Sequence, residues 1–232
     1  MATPAAEIDI DAPLVEALLA SQCPDLAHLP VRVVANGWDN TIARVGDDWL
    51  VRLPRRAASA PLVENEQRWL PVLAPSLPLT VPVPWFAGRP SDVFPWHWSV
   101  CRWLPGQSAA AAPPNDPLET ARTLATFVAA LHVPAPADAP LNEFRGVALQ
   151  QRAAAVEQRV AAMGAGVDAA RVLAVWAELS ATPPWPGPPL WLHGDLHPSN
   201  MLTLDGRLSA VIDFGDITSG DPATDMAVAW ML

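Results

Sequence analysis

The chain has 232 residues, 51% of them hydrophobic and 16% charged, and its 24 acidic against 14 basic side chains leave a net charge of −10. That length holds one large domain or two small ones, at ~100–200 residues per domain, and the apolar content excludes a disordered or collagen-like chain. All 14 bases are arginine, and the excess of acid disfavours nucleic acid as a partner, because neutralising phosphates takes clustered bases.

In chain order, Asp11 to Leu19 reads as a short helix with Pro13 in its first turn. Val31 to Val34 is extended, the turn-prone stretch 35–40 interrupts it, and Ile42 to Val45 resumes it. Gly46-Asp-Asp48 breaks the pattern again before Trp49 to Leu53, which makes three consecutive strands joined by turns. Pro61 to Leu73 takes helical spacing, with Leu62, Trp69 and Leu73 on one face. Pro78, Pro82 and Pro84 exclude a helix there, and Trp96 to Leu104 returns to strand.

Residues 105–117, rich in proline and alanine, read as a linker. Asp116-Pro-Leu-Glu119 then supplies an N-cap acid, a proline at the first helical position and a further acid, and predicts a helix to Leu131. Two alanine-rich helices are expected at 145–162 and 168–180. Leu190 to His193 and Met201 to Leu204 read as strands, and Asp205-Gly206 turns the chain into a third, Leu208 to Phe214. Asp221-Pro222 opens a last helix. The pattern is β-rich to residue 104 and mainly helical beyond, an α+β chain in two units, 1–104 and 105–232.

Cys23 and Cys101 lie far apart and match no metal spacing, which points to a reducing, cytoplasmic compartment. The N-terminus carries acids where a signal peptide needs bases. No apolar run approaches the ~20 residues that span a bilayer, so no membrane partner is expected.

Residues that carry chemistry gather near the end, in His193-Gly-Asp-Leu-His-Pro-Ser-Asn200 and Ile212-Asp-Phe-Gly-Asp216. A hairpin brings its base residues together, so Asn200, before the outgoing strand, and Asp213, ending the return strand, should be neighbours. Two oxygen ligands there suit Mg²⁺, which keeps several waters and takes one or two carboxylates plus the phosphates of a substrate. Asp195, just upstream, could receive the proton of a substrate hydroxyl. Base, amide ligand and carboxylate ligand together are the parts of kinase-type phosphoryl transfer. His193, Asp195 and His197 are also residue types that zinc takes, so a zinc hydrolase is the other reading, one that leaves Asn200 and Asp213 idle.

These segments resemble the aminoglycoside phosphotransferase family of the protein-kinase-like fold: HGDLHPSN its catalytic loop, IDFGD its metal-binding segment, GDPATDMA the continuation. GWDNTIARVGDDWLVRLPRR is similar to the opening of its N-terminal lobe and VENEQRWL to the first lobe helix, so the likeness runs from about residue 30 onward. It implies two lobes, β-rich then mainly helical, in a chain shortened at the C-terminus relative to the family. The implied activity moves the γ-phosphoryl group of ATP or GTP to a hydroxyl of a small molecule, an aminoglycoside or other antibiotic and, given the acidity, a cationic one. By this resemblance Asp195 is the catalytic base with His193 bracing its loop, and Asn200 and Asp213 hold Mg²⁺. Arg102 and Leu104 are the hinge positions whose main chain binds the nucleotide base, Asn40 lies in the loop over the phosphates (36–41), and Glu66 pairs with the base that grips them. Asp225 orients the catalytic loop, Asp216 meets acceptor or solvent, and Arg55-Arg56 is a solvated turn. The family places lysine on the third strand where this chain has Arg52. Either Arg52 fills that role or the chain is a nucleotide-binding homologue impaired in catalysis.

Overall fold

The computed structural model describes residues 4–231. Helix α1 (Ala12–Gln22) begins where the Asp11 side chain accepts the Leu14 N–H at 2.9 Å, and it buries Val15, Leu18 and Leu19. These side chains pack against an antiparallel sheet of β1 (Val31–Asn36), β2 (Asn40–Val45), β3 (Trp49–Pro54), β4 (Pro84–Gly88) and β5 (Trp98–Arg102). The strand order is β1-β2-β3-β5-β4. Val51 and Leu53 of β3 point into this core while Arg52 between them faces the other side, where α2 (Ala60–Leu73) lies. Strand β4 falls in the stretch that its prolines mark only as non-helical. It is an edge strand, the one place in a sheet where a missing N–H does little harm.

The stretch read as a linker contains a short strand, β6 (Gln107–Ser108), which pairs with β8 (Met201–Leu204), itself paired with β9 (Arg207–Val211). Helix α3 (Pro117–Leu131) starts as its sequence predicts, Asp116 accepting the N–H groups of Leu118 and Glu119. The helix expected from residue 145 begins late: a 3₁₀ turn at Leu149–Arg152 leads into α4 (Ala153–Ala162), followed by α5 (Ala169–Ser180). The cause is Gly146, at φ +67° and pressed against Gly220, so close that a Cβ at Gly220 would lie 2.2 Å from the Gly146 carbonyl. Gly220 ends β10 (Thr218–Gly220), which pairs with β7 (Leu190–Leu192), and α6 (Ala223–Met226) follows.

A second core gathers Phe127, Leu131, Trp191, Met201, Phe214 and Ile217, with Trp69, Leu70 and Leu73 of α2 reaching down into it. Each such fully buried side chain contributes about 1.5–3 kcal/mol. The return strand β9 stops at Val211, short of the expected Phe214, and Asp213 turns to φ +63°. Both cysteines are free and buried, and burial pushes the Cys101 thiol up to about 12, which leaves it unreactive. Among the described residues no helix is long and apolar enough to cross a membrane.

Candidate active site

Strand β3 delivers Arg52 into the gap between α2 and the segment after β9, where it is 5% exposed. Its Nη1 donates to Glu66 Oε1 at 2.9 Å and its Nη2 to Asp213 Oδ1 at 2.8 Å. Burial alone would lower the pKa of Arg52, but Glu66 and Asp213 raise it above its ordinary value, so the guanidinium stays charged. Burial pushes the Glu66 carboxyl up to about 7, with Arg52 pulling it back and Asp213 adding to the rise. The Asp213 side chain is half exposed, and the Arg52 guanidinium beside it holds that carboxyl below its ordinary value. One planar fork thus joins a strand, a helix and the segment after β9, a task suited to the geometry of arginine.

The loop 193–200 leaves β7 at His193, which is wholly buried. The N–H groups of His193 and Gly194 donate to the two oxygens of Asp225 at 2.8 and 2.9 Å, and His132 Nε2 lies 3.1 Å from Asp225 Oδ2. Asp225 therefore orients the loop through its backbone. The His193 ring accepts the Asp195 N–H at Nδ1 (3.2 Å) and donates from Nε2 to the Ile212 carbonyl (2.9 Å). With both nitrogens engaged and no exposure, His193 braces the loop and does not reach a substrate. Gly194 sits at φ +85°, where a Cβ would lie 2.2 Å from the Asp216 carbonyl, so only glycine lets the loop cross this segment. Asn200 donates from Nδ2 to the Asp195 carbonyl at 3.0 Å, and its own carbonyl accepts the Ile212 N–H at 2.9 Å. That bond sets Asn200 beside the Asp213 segment, as the hairpin pattern predicts.

Two adjoining cavities share Trp38, Asp39, Asn40 and Asp213. The inner one, of about 310 Å³, is walled by Ile42, Leu50, Leu202 and Ile212 and reaches Trp103 and Leu104. The Trp103 N–H donates to Asp48 at 2.8 Å, so the alternation of the ladder turns the main-chain groups of Arg102 and Leu104 away from β3. The Arg102 guanidinium lies over the Trp49 ring, 3.8 Å from its centroid, and does not line the cavity. Asn40 lines both cavities, and its buried Oδ1 has no hydrogen-bond partner. Arg55 and Arg56 are not a solvated turn. Arg55 donates to the Gly37 carbonyl at 2.7 Å and Arg56 to Asp39 at 3.0 Å, bracing the loop that roofs the cavities.

The outer cavity, of about 680 Å³, is lined by Asp195, Asp213 and Asp216 and by residues 141–145. Arg145, which carries no pattern in the sequence, donates from Nη2 to Asp195 Oδ1 at 2.6 Å and contacts Asp216 Oδ2 at 3.3 Å. Asn142 donates to the other oxygen of Asp216 at 2.8 Å. His197 Nε2 lies 3.3 Å from Asp195 Oδ2.

Among the described residues no group of three or more His, Cys, Asp or Glu is placed to hold a metal. With both His193 nitrogens engaged, the zinc reading lacks its ligands. A hard cation that asks the protein for one or two oxygens fits better. Arg52 takes one oxygen of Asp213, and Asn200 points its nitrogen at Asp195, which leaves its amide oxygen for such an ion.

A family model described as the phosphotransferase enzyme family matches residues 30–232. The chain belongs to this family. It is a phosphotransferase. Among solved structures it is similar to the GDP complex of wild-type aminoglycoside 2'-phosphotransferase-IIIa, at 22% identity and TM-score 0.77 over 94% of this chain and 77% of that one, a likeness of fold. It is similar to macrolide 2'-phosphotransferase MphH from Brachybacterium faecium at 28% identity and TM-score 0.66, over 93% of this chain and 75% of that one. Macrolide 2'-phosphotransferase type I is 27% identical at TM-score 0.68, covering 97% and 78% of the two chains. No curated protein matches the chain.

Proposed function

We propose that this phosphotransferase moves the γ-phosphoryl group of ATP or GTP to a hydroxyl of a small acceptor, with the nucleotide in the inner cavity and the acceptor in the outer one. Residues 1–104 form the nucleotide-binding lobe and 105–232 the lobe that carries the catalytic loop. The observation that supports this most is the shared wall: Asp195 faces the outer cavity, while Asp213, held by Arg52, belongs to both. Relatives whose names include a GDP complex and macrolide phosphotransfer support a nucleotide and a small acceptor as the two ligands.

In this reading the apolar walls of the inner cavity take the nucleotide base, and the main chain at Arg102 and Leu104 takes its polar edge. Asn40 and the braced loop around it cover the phosphates. Asn200 and Asp213 hold Mg²⁺, which when bound neutralises phosphate charge. Arg52 fixes Asp213 and Glu66 and stands in the place where the family carries lysine, adding positive charge next to the phosphates. Asp195 receives the hydroxyl proton as the acceptor oxygen bonds to phosphorus and the bond to the nucleotide breaks. The buried free thiols suit a reducing cytoplasm.

The test is Asp195→Asn. Phosphoryl transfer should fall by roughly 10²–10⁴-fold, while Mg-ATP binding by calorimetry stays near the wild-type value. Full turnover in this variant would remove Asp195 from the mechanism.

A further inference from the structure

The excess of acid invites a cationic acceptor, but the site points the other way. Asp39, Glu143, Asp195, Asp213 and Asp216 all line the outer cavity. The chain's own arginines already pair with four of them: Arg56 with Asp39, Arg52 with Asp213, and Arg145 with both Asp195 and Asp216. We propose that Arg145 is a specificity-determining residue: it occupies the place at Asp195 and Asp216 that a cationic group of an acceptor would take, and so selects hydroxyl acceptors of low positive charge with an apolar face. This inference rests on the kinase reading of the same site.

Arg145 is held where it is from both ends. Its neighbour Gly146 donates its N–H to Thr224 Oγ1 at 2.9 Å and accepts the Asp221 N–H at 2.9 Å, which pins the main chain to the corner between β10 and α6. The guanidinium is kept by Asp216, itself oriented by Asn142, so an arriving hydroxyl meets Asp195 with Arg145 still beside it. A carboxylate oxygen has room for two partners, and a hydroxyl can share Asp195 with the guanidinium. An ammonium cannot do so without repulsion at a range far shorter than the ~8–10 Å over which salt screens.

The same wall carries an apolar surface, and a second arginine behind it holds Phe144. Arg152 stacks on the Phe144 ring at 4.9 Å and donates to the Phe144 carbonyl at 2.8 Å. Leu141, Phe144 and Trp38 are 85%, 61% and 48% exposed at the mouth of the cavity. Large apolar side chains left open around a few polar groups suit a ligand with an apolar face that covers them.

The experiment titrates kanamycin, a polycation, and erythromycin, an apolar lactone with one amine, into wild type, Arg145→Gln and Arg145→Lys by calorimetry. ATP-dependent phosphorylation of each compound is followed in parallel. The ratio of the two affinities is the readout, because a general loss of order at the site would weaken both. In Arg145→Gln the kanamycin affinity should rise about tenfold relative to erythromycin, as the removal of one close like charge implies. Arg145→Lys, which keeps the charge, should leave the ratio near that of wild type. A ratio unmoved by Arg145→Gln, including no measurable kanamycin binding to either protein, overturns the proposal, and so does an Arg145→Lys variant that behaves like Arg145→Gln. If the ratio shifts as expected and neither compound is phosphorylated, the charge selection stands and the reading of phosphoryl transfer to such acceptors fails.

Discussion

Two arginines organise the cleft, and they differ in burial more than in chemistry. Arg52 and Glu66 have side chains only 6% and 3% exposed, whereas Arg145 and Asp195 are 36% and 35% exposed. Each guanidinium bridges two carboxylates. The buried one joins a strand to a helix and to the segment after β9, so it is part of the scaffold. The open one lies on a loop against the proposed base, where water competes with it and a ligand can too. A charge in the interior sets structure and a charge at the rim sets selection, because desolvation makes the first intolerant of loss and solvent makes the second replaceable.

The difference should be sharpest in Arg52→Ala. Removing one partner of a buried pair leaves uncompensated charge, and we expect a loss of about 3–5 kcal/mol in urea unfolding, together with loss of Mg-ATP binding. Arg52→Lys should recover only part of both, since one ammonium cannot span Glu66 and Asp213 as the fork does. A lysine variant equal to wild type would reduce Arg52 to a point charge.

A smaller effect is expected from pH. Glu66 is raised from its ordinary 4.5 to about 7, so the folded chain keeps a proton that the unfolded chain has released. Stability should therefore fall as pH rises from about 4.5 to about 7, and Glu66→Gln should remove that slope. The lowered pKa of Asp213 acts in a separate, more acidic window, where stability is lost as pH falls. A slope identical in wild type and Glu66→Gln would place the titrating group elsewhere. The smallest change is expected at the rim. Arg145→Gln should shift unfolding stability by no more than about 1 kcal/mol, even as it alters ligand preference. A loss as large as that of Arg52→Ala would erase the distinction between the two sites.

The hairpin that sets Asn200 beside the Asp213 segment is legible in the sequence because its residues are close along the chain and tied by an Asp-Gly turn, so local spacing carries the geometry. The pairing of Arg52 with Glu66 follows only from the family likeness, since a strand and a helix must meet before the two side chains can. Asp213 shows the limit of pattern. An apolar run reads as strand to Phe214, but the chain takes a left-handed turn at Asp213, whose carboxylate is held by Arg52 from a strand far along the chain. Arg145 is invisible for a related reason. Alanine-rich sequence around it favours helix, and the contact of Gly146 with Gly220, far along the chain, prevents one. Strands β4 and β6 likewise exist only because a distant partner completes them.

Helix α2 gives the two lobes a common member. Its Glu66 and Gln67 reach upward, Gln67 donating to the Trp98 carbonyl at 2.8 Å, while Trp69 packs on Trp191 below at 4.8 Å between ring centroids. One turn of this helix is thus tied to the sheet on one face and to the lower core on the other. The same element that carries Glu66 to Arg52 therefore also sets how far β3 stands from the loop that follows β7.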